Sequence, residues 1–199
     1  MQKTQLALFP LQLFLLPGET TRLHIFEERY RQLLADCENV QFSFGIPYTR
    51  DGYMSGFGSI VELKNVLKRY GNGSADIEVE AIGIFKVDRF FLRMGEKLYP
   101  GGDVILMDLN DVPPAGDKVF AAFDSYLSES GHPVRSELFS PELTLIDMAR
   151  ILELEDEKKL KLLKLNKEES RERFILEELQ LRKLLLAQNR SVENNIFLN

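Results

Sequence analysis

Leu6 to Leu34 reads LALFPLQLFLLPGETTRLHIFEERYRQLL, and two unrelated constraints inside this window decide the fold. An apolar run broken by Pro10 and by Pro17-Gly18 passes directly into an amphipathic helix pattern. Phe26, Tyr30, Leu33, Leu34 and Cys37 fall at i, i+4, i+7, i+8 and i+11, the spacing of one helix face. Glu27, Glu28, Arg31 and Gln32 take the opposite face. The expected order is strand, turn, strand, helix.

Outward from this window, residues 5–111 keep mostly the period of strands, with glycine punctuation. Residues 42–46 read as a strand, and residues 48–58, around Arg50-Asp51-Gly52, as a mobile connection. Residues 59–67 and 76–85 alternate around Tyr70-Gly71-Asn72-Gly73, where glycine and asparagine tolerate the positive φ of a hairpin turn. Residues 86–93 and 104–109 complete the β part. Val112-Pro113-Pro114-Ala115-Gly116 suits neither a strand nor a helix interior. It is the expected linker between a β part, residues 1–111, and a helical part, residues 117–199.

In the helical part, residues 117–130 place Phe120, Phe123 and Leu127 on one face. Ser140-Pro141-Glu142 reads as a helix start, with serine as N-cap and proline at the first helical position, leading into Leu143, Ile146 and Ile151. Residues 156–165 and 167–189 follow. The last helix, with Ile175, Leu179 and Leu186, is long enough to pack across the others or to drive self-association. No a/d heptad persists over three or four repeats, which favours a plain bundle over a coiled coil.

At 199 residues and 44% hydrophobic, the chain can build a sizeable core. The net charge of −6 is evenly spread, and it disfavours a nucleic-acid partner, which needs a basic face. The single cysteine, Cys37, fits a reducing compartment. No run approaches the ~20 apolar residues that span a bilayer, and the N-terminal apolar stretch lacks a small-residue cleavage pattern. The expectation is a cytoplasmic protein that engages no membrane.

Candidate chemistry is sparse. With His24 and His132 the only histidines, a His-rich metal site is excluded. His24 and Glu28 have i, i+4 spacing but no adjacent third ligand, so His24 reads as a structural residue at the helix entrance. Cys37 sits on the apolar face and reads as a small buried hydrophobe rather than a nucleophile. Sequence patterns for nucleotide cradles, serine hydrolases and zinc proteases are missing. No catalytic residue, metal ligand or cofactor is assigned. What remains is surface: Tyr48, Tyr53, Met54, Phe57, Phe91, Met94 and Tyr99, with Phe90 and Leu92, fall in or beside expected connections. Adaptable methionines and rigid aromatics suit a groove for unfolded or extended polypeptide.

Leu8-Phe9-Pro10-Leu11, Leu16-Pro17-Gly18 and above all Leu23-His24-Ile25-Phe26-Glu27-x-Arg29-Tyr30-Arg31 resemble the opening of the Lon protease N-terminal substrate-binding domain family. Phe44-Gly45-Ile46, Gly58-Ser59 and the segment Phe85-Lys86-Val87 follow in the family's order. The chain departs from the family at Glu28, Ala81 and Ile84, where proline, glycine and arginine are usual. The resemblance implies an α+β fold: a distorted, partly open β-barrel of the pseudouridine-synthase-associated (PUA-like) type with one inserted helix, then a C-terminal helical bundle. It also implies a stand-alone recognition module for protein substrates or a specific protein partner, without the ATPase or the serine-lysine peptidase. The alternative is an enzyme or small-ligand binder using the barrel mouth, which predicts a concave pocket with converging polar groups and a perturbed ionisable residue.

Overall fold

In the computed structural model, which describes residues 3–109, 112–131 and 142–196, with side chains as far as residue 190, the opening window folds in the expected order. Strand β1 (Lys3–Ala7) leads through a buried irregular segment to β2 (Thr20–Ile25) and helix α1 (Glu28–Val40). Prolines 10 and 17 keep residues 8–18 out of a regular ladder, yet Leu8, Phe9, Phe14, Leu15 and Leu16 are all buried. Their amides therefore need individual partners. Leu8 donates to the Pro100 carbonyl at 2.8 Å, Phe9 to Gly45 at 2.8 Å and Leu11 to Pro47 at 3.2 Å. Leu15 donates to the Ser59 hydroxyl at 2.8 Å, and Leu16 to the Glu19 carboxylate at 2.8 Å.

Helix α1 buries Tyr30, Leu33, Leu34 and Cys37, and ends at Gln41 in the left-handed region (φ 50°). Phe26 is not on that face. The helix starts only at Glu28, so Phe26 stands before its first turn and is 63% exposed. His24 likewise belongs to β2 rather than to the helix entrance, and so shares no helix face with Glu28.

Four more strands, β3 (Phe44–Arg50), β4 (Tyr53–Arg69), β5 (Ala75–Phe91) and β6 (Gly101–Leu106), complete a six-stranded, mostly antiparallel sheet. The order is β1-β6-β5-β4-β3, with β2 pairing the first half of β5. Just past β1, Leu8 and Leu11 meet Gly45 and Tyr48 in isolated parallel bridges, so the sheet approaches itself without closing in a regular ladder. Residues 48–58 are not a loose connection. Asp51 (φ 51°) and Gly52 (φ 80°) form a two-residue turn, and the residues on either side of it belong to β3 and β4. The stretches expected as two strands, 76–85 and 86–93, are one long β5.

Three family-like segments converge on one packing contact. Phe85 is fully buried with Leu8, Ile60 and Val104. The missing side chains of Gly45 and Gly58 leave room for its ring: a Cβ on Gly45 would lie 2.6 Å from Leu8 Cδ2 and 2.9 Å from the ring, and a Cβ on Gly58 would overlap the ring. Next to Gly58, the buried Ser59 hydroxyl donates to the Leu15 carbonyl at 2.7 Å and accepts from the Leu15 amide. A larger cluster, including Ile46, Val61, Ile77 and Val79 with the α1 face, fills the rest of this unit. Each such aliphatic side chain contributes about 1.5–3 kcal/mol on burial.

The chain divides into two compact units, Met1–Asp111 and Val112–Asn199. In the second, the proline-rich stretch is tied down: Pro114 bridges Thr144, and the Ala115 amide donates to the Leu143 carbonyl at 2.8 Å. Helices α2 (Asp117–Ser130), α3 (Leu145–Ile151), α4 (Asp156–Lys164) and α5 (Glu168–Ile196) follow. Phe123, Leu127, Met148, Leu160, Ile175 and Leu179 are buried, whereas Phe120, Ile146, Ile151 and Leu186 are only half-buried. Helix α3 is capped by Thr144 in a reciprocal capping box with Asp147. The expected helix start at Ser140-Pro141 lies outside the described residues.

Candidate functional site

The apolar side chains expected to form a binding surface separate into a buried and an accessible set. Tyr48, Phe57 and Tyr99 are buried, which corrects the expectation that they face solvent. Tyr48 lies in the continuously buried part of β3, whose two faces are both covered. Phe57 turns inward from β4, with the Lys86 ammonium 5.3 Å from its ring centroid. Tyr99 is fixed by its hydroxyl, which donates to Asp36 on α1 at 2.8 Å.

Tyr53 and Met54 stand beside the β3–β4 turn, Tyr53 being 81% exposed and Met54 half-buried. Phe91, at the end of β5, and Met94 stand at the other accessible place, the β5–β6 connection. Phe91 pairs with Gly101, and a Cβ on Gly101 would lie 2.8 Å from Met94 Cβ, so the methionine packs over bare backbone. Leu92, between them, is 83% exposed, and Phe90 and Leu98 also reach solvent.

This connection is held on a fixed backbone. Met94 donates its amide to the Tyr99 carbonyl at 3.0 Å, and Lys97 to the Met94 carbonyl at 3.1 Å. Leu98 donates to the Gln32 side chain at 2.7 Å, and the Lys97 ammonium lies 2.8 Å from Asp36. Lys97 and Tyr99 both stabilise the charged form of Asp36 and hold its carboxyl below the usual range, against some desolvation. The Tyr99 phenol is pushed well up, first by burial and then by donating to Asp36. Gln32 sits on the helix face read as polar and Asp36 four residues further along α1, and nothing local in the sequence signals the pairing.

The remaining reactive groups have structural partners. His24 Nδ1 lies 2.6 Å from Asp76, whose other oxygen accepts from the Tyr70 hydroxyl at 2.6 Å. Those two bonds, Tyr70's the larger, lower the Asp76 pKa. The Cys37 thiol is buried and pushed up to about 12, by desolvation first and then by Asp36 and Glu38. Such a thiol is protonated at neutral pH and is a poor nucleophile. Among the described residues, no group of three or more histidine, cysteine or carboxylate side chains could hold a metal ion. No described helix is long and apolar enough to cross a membrane. His132 lies outside the described residues. The interior of the first unit is filled by its two apolar clusters, so the small-ligand alternative finds no support there.

The fold has close counterparts among solved structures. A Lon N-terminal domain protein from Xanthomonas campestris superposes with a TM-score of 0.66 at 24% identity, over 89% of this chain and 98% of that one. The chain has the fold of Lon N-terminal domains. The N-terminal domain of a Mycobacterium avium complex Lon protease matches with a TM-score of 0.61 at 15% identity, again over 89% of this chain and 98% of that one. The sequence itself matches no family model and no curated protein. The Lon-type fold is thus kept at low identity, and Gly45, Gly58, Ser59 and Phe85 show what in this chain sustains it.

Proposed function

We propose that the chain is a polypeptide-recognition module that performs no chemistry of its own. The observation that carries this reading is the β5–β6 connection, where Leu92 stands 83% exposed and Phe90 and Leu98 also reach solvent, on a backbone tethered to α1. Large apolar groups in solvent are costly unless they meet a partner, and a fixed backbone lowers the ordering cost of binding. Tyr53 and Met54 offer a second apolar contact at the β3–β4 turn. The Lon-type fold agrees with this reading, since the family resemblance implies recognition of protein substrates or of a specific protein partner.

In the same reading, the incompletely closed sheet is a PUA-like barrel, and the second unit is a helical bundle in a cytoplasmic protein. The acidic balance of −6 disfavours nucleic acid as the partner. Leu181, Leu184 and Leu185, exposed at i, i+3 and i+4 on α5, favour self-association through that helix. Light scattering over a concentration series tests that point. For recognition itself, the experiment is photo-crosslinking of a permanently unfolded test protein to the native chain and to a Tyr53→Ser/Leu92→Asp variant. Both substituted side chains are exposed, so the variant keeps its fold. Strong capture by the native chain and weak capture by the variant is expected; equal capture by both removes this surface from the account.

A further inference from the structure

The two sides of β4 are unequally paired. On one side, β5 accompanies it from Phe57 to Arg69; on the other, β3 accompanies it only from Tyr53 to Val61. Among the described residues, no strand lies beside positions 62–69 on that second side. The vacant lane continues the line of β3, which the chain enters only at Phe44. Facing it across a groove of about 600 Å3 are Cys37 and Glu38 of α1, its C-cap Gln41, and Phe42, with residues 62–66 of β4 forming the other wall. An open strand edge beside a walled groove is the geometry of strand addition, in which main-chain hydrogen bonds supply affinity and flanking pockets supply selectivity.

The edge also selects what can enter. The β4–β5 register shifts between Leu63 and Asn65 and again between Val66 and Lys68, and three cations, Lys64, Lys68 and Arg69, sit along it. Bulges and lysines are the devices that prevent flat sheet edges from pairing. With α1 walling the lane, a second sheet has no approach, whereas one flexible extended segment does. Each cation already has its own partner: Lys64 reaches Glu80 at 2.5 Å, Lys68 lies 4.7 Å from the Tyr70 ring centroid, and Arg69 pairs with Glu38. That last bridge runs from the edge to α1 and limits the open lane to residues 62–66, about 16 Å of strand.

At the opposite end the exposed carboxylate of Glu62, which also acts on Lys64 of the same strand, shares the groove lining with Gln41 and Phe42 just past the C-terminal end of α1, whose last turn carries no basic residue. Helix C-termini carry partial negative charge, so this end of the groove favours a cation. Half-buried Phe42, Leu63 and Val66 supply apolar contacts along the wall. We infer that residues 62–66 of β4 accept an extended segment of a partner polypeptide as an added strand, with a lysine or arginine of that segment beside Glu62. This rests on the polypeptide-recognition reading and specifies its partner and its main-chain mode.

The probe is a fluorescent eight-residue alternating Val–Lys peptide, titrated against the full chain by anisotropy. A second copy of the peptide carries N-methyl groups on alternate amides, and an unfolded test protein runs in parallel. Saturable binding of the plain peptide is expected. N-methylation should weaken it at least tenfold, Glu62→Lys at least fivefold with an unchanged unfolding midpoint, and amides in residues 62–66 should gain hydrogen-exchange protection. If the unfolded protein binds but the two peptides bind alike, or the amides gain no protection, strand addition is overturned while the wider reading stands. If neither peptide nor unfolded protein binds, both are overturned.

Discussion

Replacing Gly58 with alanine places a methyl group where the family-like segments converge. That Cβ would overlap the Phe85 ring and stand 2.7 Å from both ring Cε1 and the Ile46 carbonyl oxygen. Carbon atoms settle about 3.5–4.0 Å apart, so the ring has to retreat by roughly an ångström. Phe85 is fully buried and the Ile46 oxygen is main chain, so neither gives way without disturbing the sheet. Overpacking of this kind costs about 1–3 kcal/mol. The stiffer unfolded chain that alanine brings offsets only about 0.4–1 kcal/mol. A net loss of about 1–2 kcal/mol is expected, which at a urea slope of about 2 kcal/mol/M lowers the midpoint by about 0.5–1 M. Far-UV circular dichroism is the readout, since the chain has no tryptophan. Gly71→Ala, whose Cβ meets nothing within 4 Å, is the control. Phe85→Leu removes the ring atoms concerned, and in that background Gly58→Ala should cost at least about 1 kcal/mol less. If Gly58→Ala unfolds with the control, or if the two costs simply add, the packing argument is wrong.

Ser59→Ala leaves the Leu15 amide and carbonyl without their hydroxyl partner in a buried place, and should cost about 1–3 kcal/mol in urea unfolding; an unchanged midpoint contradicts the tie. Cys37, buried and with its pKa pushed up to about 12, should resist a thiol-reactive dye at neutral pH until the chain is unfolded; rapid stoichiometric labelling of the native chain contradicts its placement. Asp36, Asp76 and Asp103 all have carboxyls held below the ordinary range, chiefly by Lys97, Tyr70 and Gln5 respectively. In the folded chain they bind protons less readily than in the unfolded one, so their stabilisation is present above the ordinary carboxylate pKa of about 3.9 and fades as pH falls below it. Urea midpoints should fall on acidification, less steeply in Asp36→Asn; a midpoint that rises on acidification refutes this.

Local pattern and long-range pairing divide what the residues reveal from what they hide. Tyr30, Leu33, Leu34 and Cys37 announced their face because a helix repeats its contacts every three to four residues. Phe26 shares that period by position alone, since the chain is still extended there, and N-cap Glu27 makes no side-chain capping bond to the helix backbone, its carboxylate accepting from Arg29 instead. Asp51-Gly52 is a strong hairpin signal, but its flanks hid it: β3 is buried on both faces and does not alternate. For the site, the apolar residues of the β5–β6 connection were legible as candidates. Their tethering was not, because Gln32 and Asp36 reach Leu98 and Tyr99 across more than sixty residues. Which aromatic turns inward is equally hidden: Tyr48 and Tyr53 are alike in type and close in sequence, and only pairing buries one and exposes the other. The open side of β4 is likewise a property of the assembled sheet, visible only once β3 and β5 are both in register.

Recognition of extended polypeptide is tested most directly by one comparison of affinities. A fluorescently labelled, disulfide-stabilised test protein is titrated with the chain in its oxidised, folded form and again after reduction has unfolded it. Saturable binding is expected for the unfolded form only, weakened at least fivefold by Leu92→Asp, whose side chain is 83% exposed in the native protein. Binding to neither form, or equal binding to both, contradicts the account.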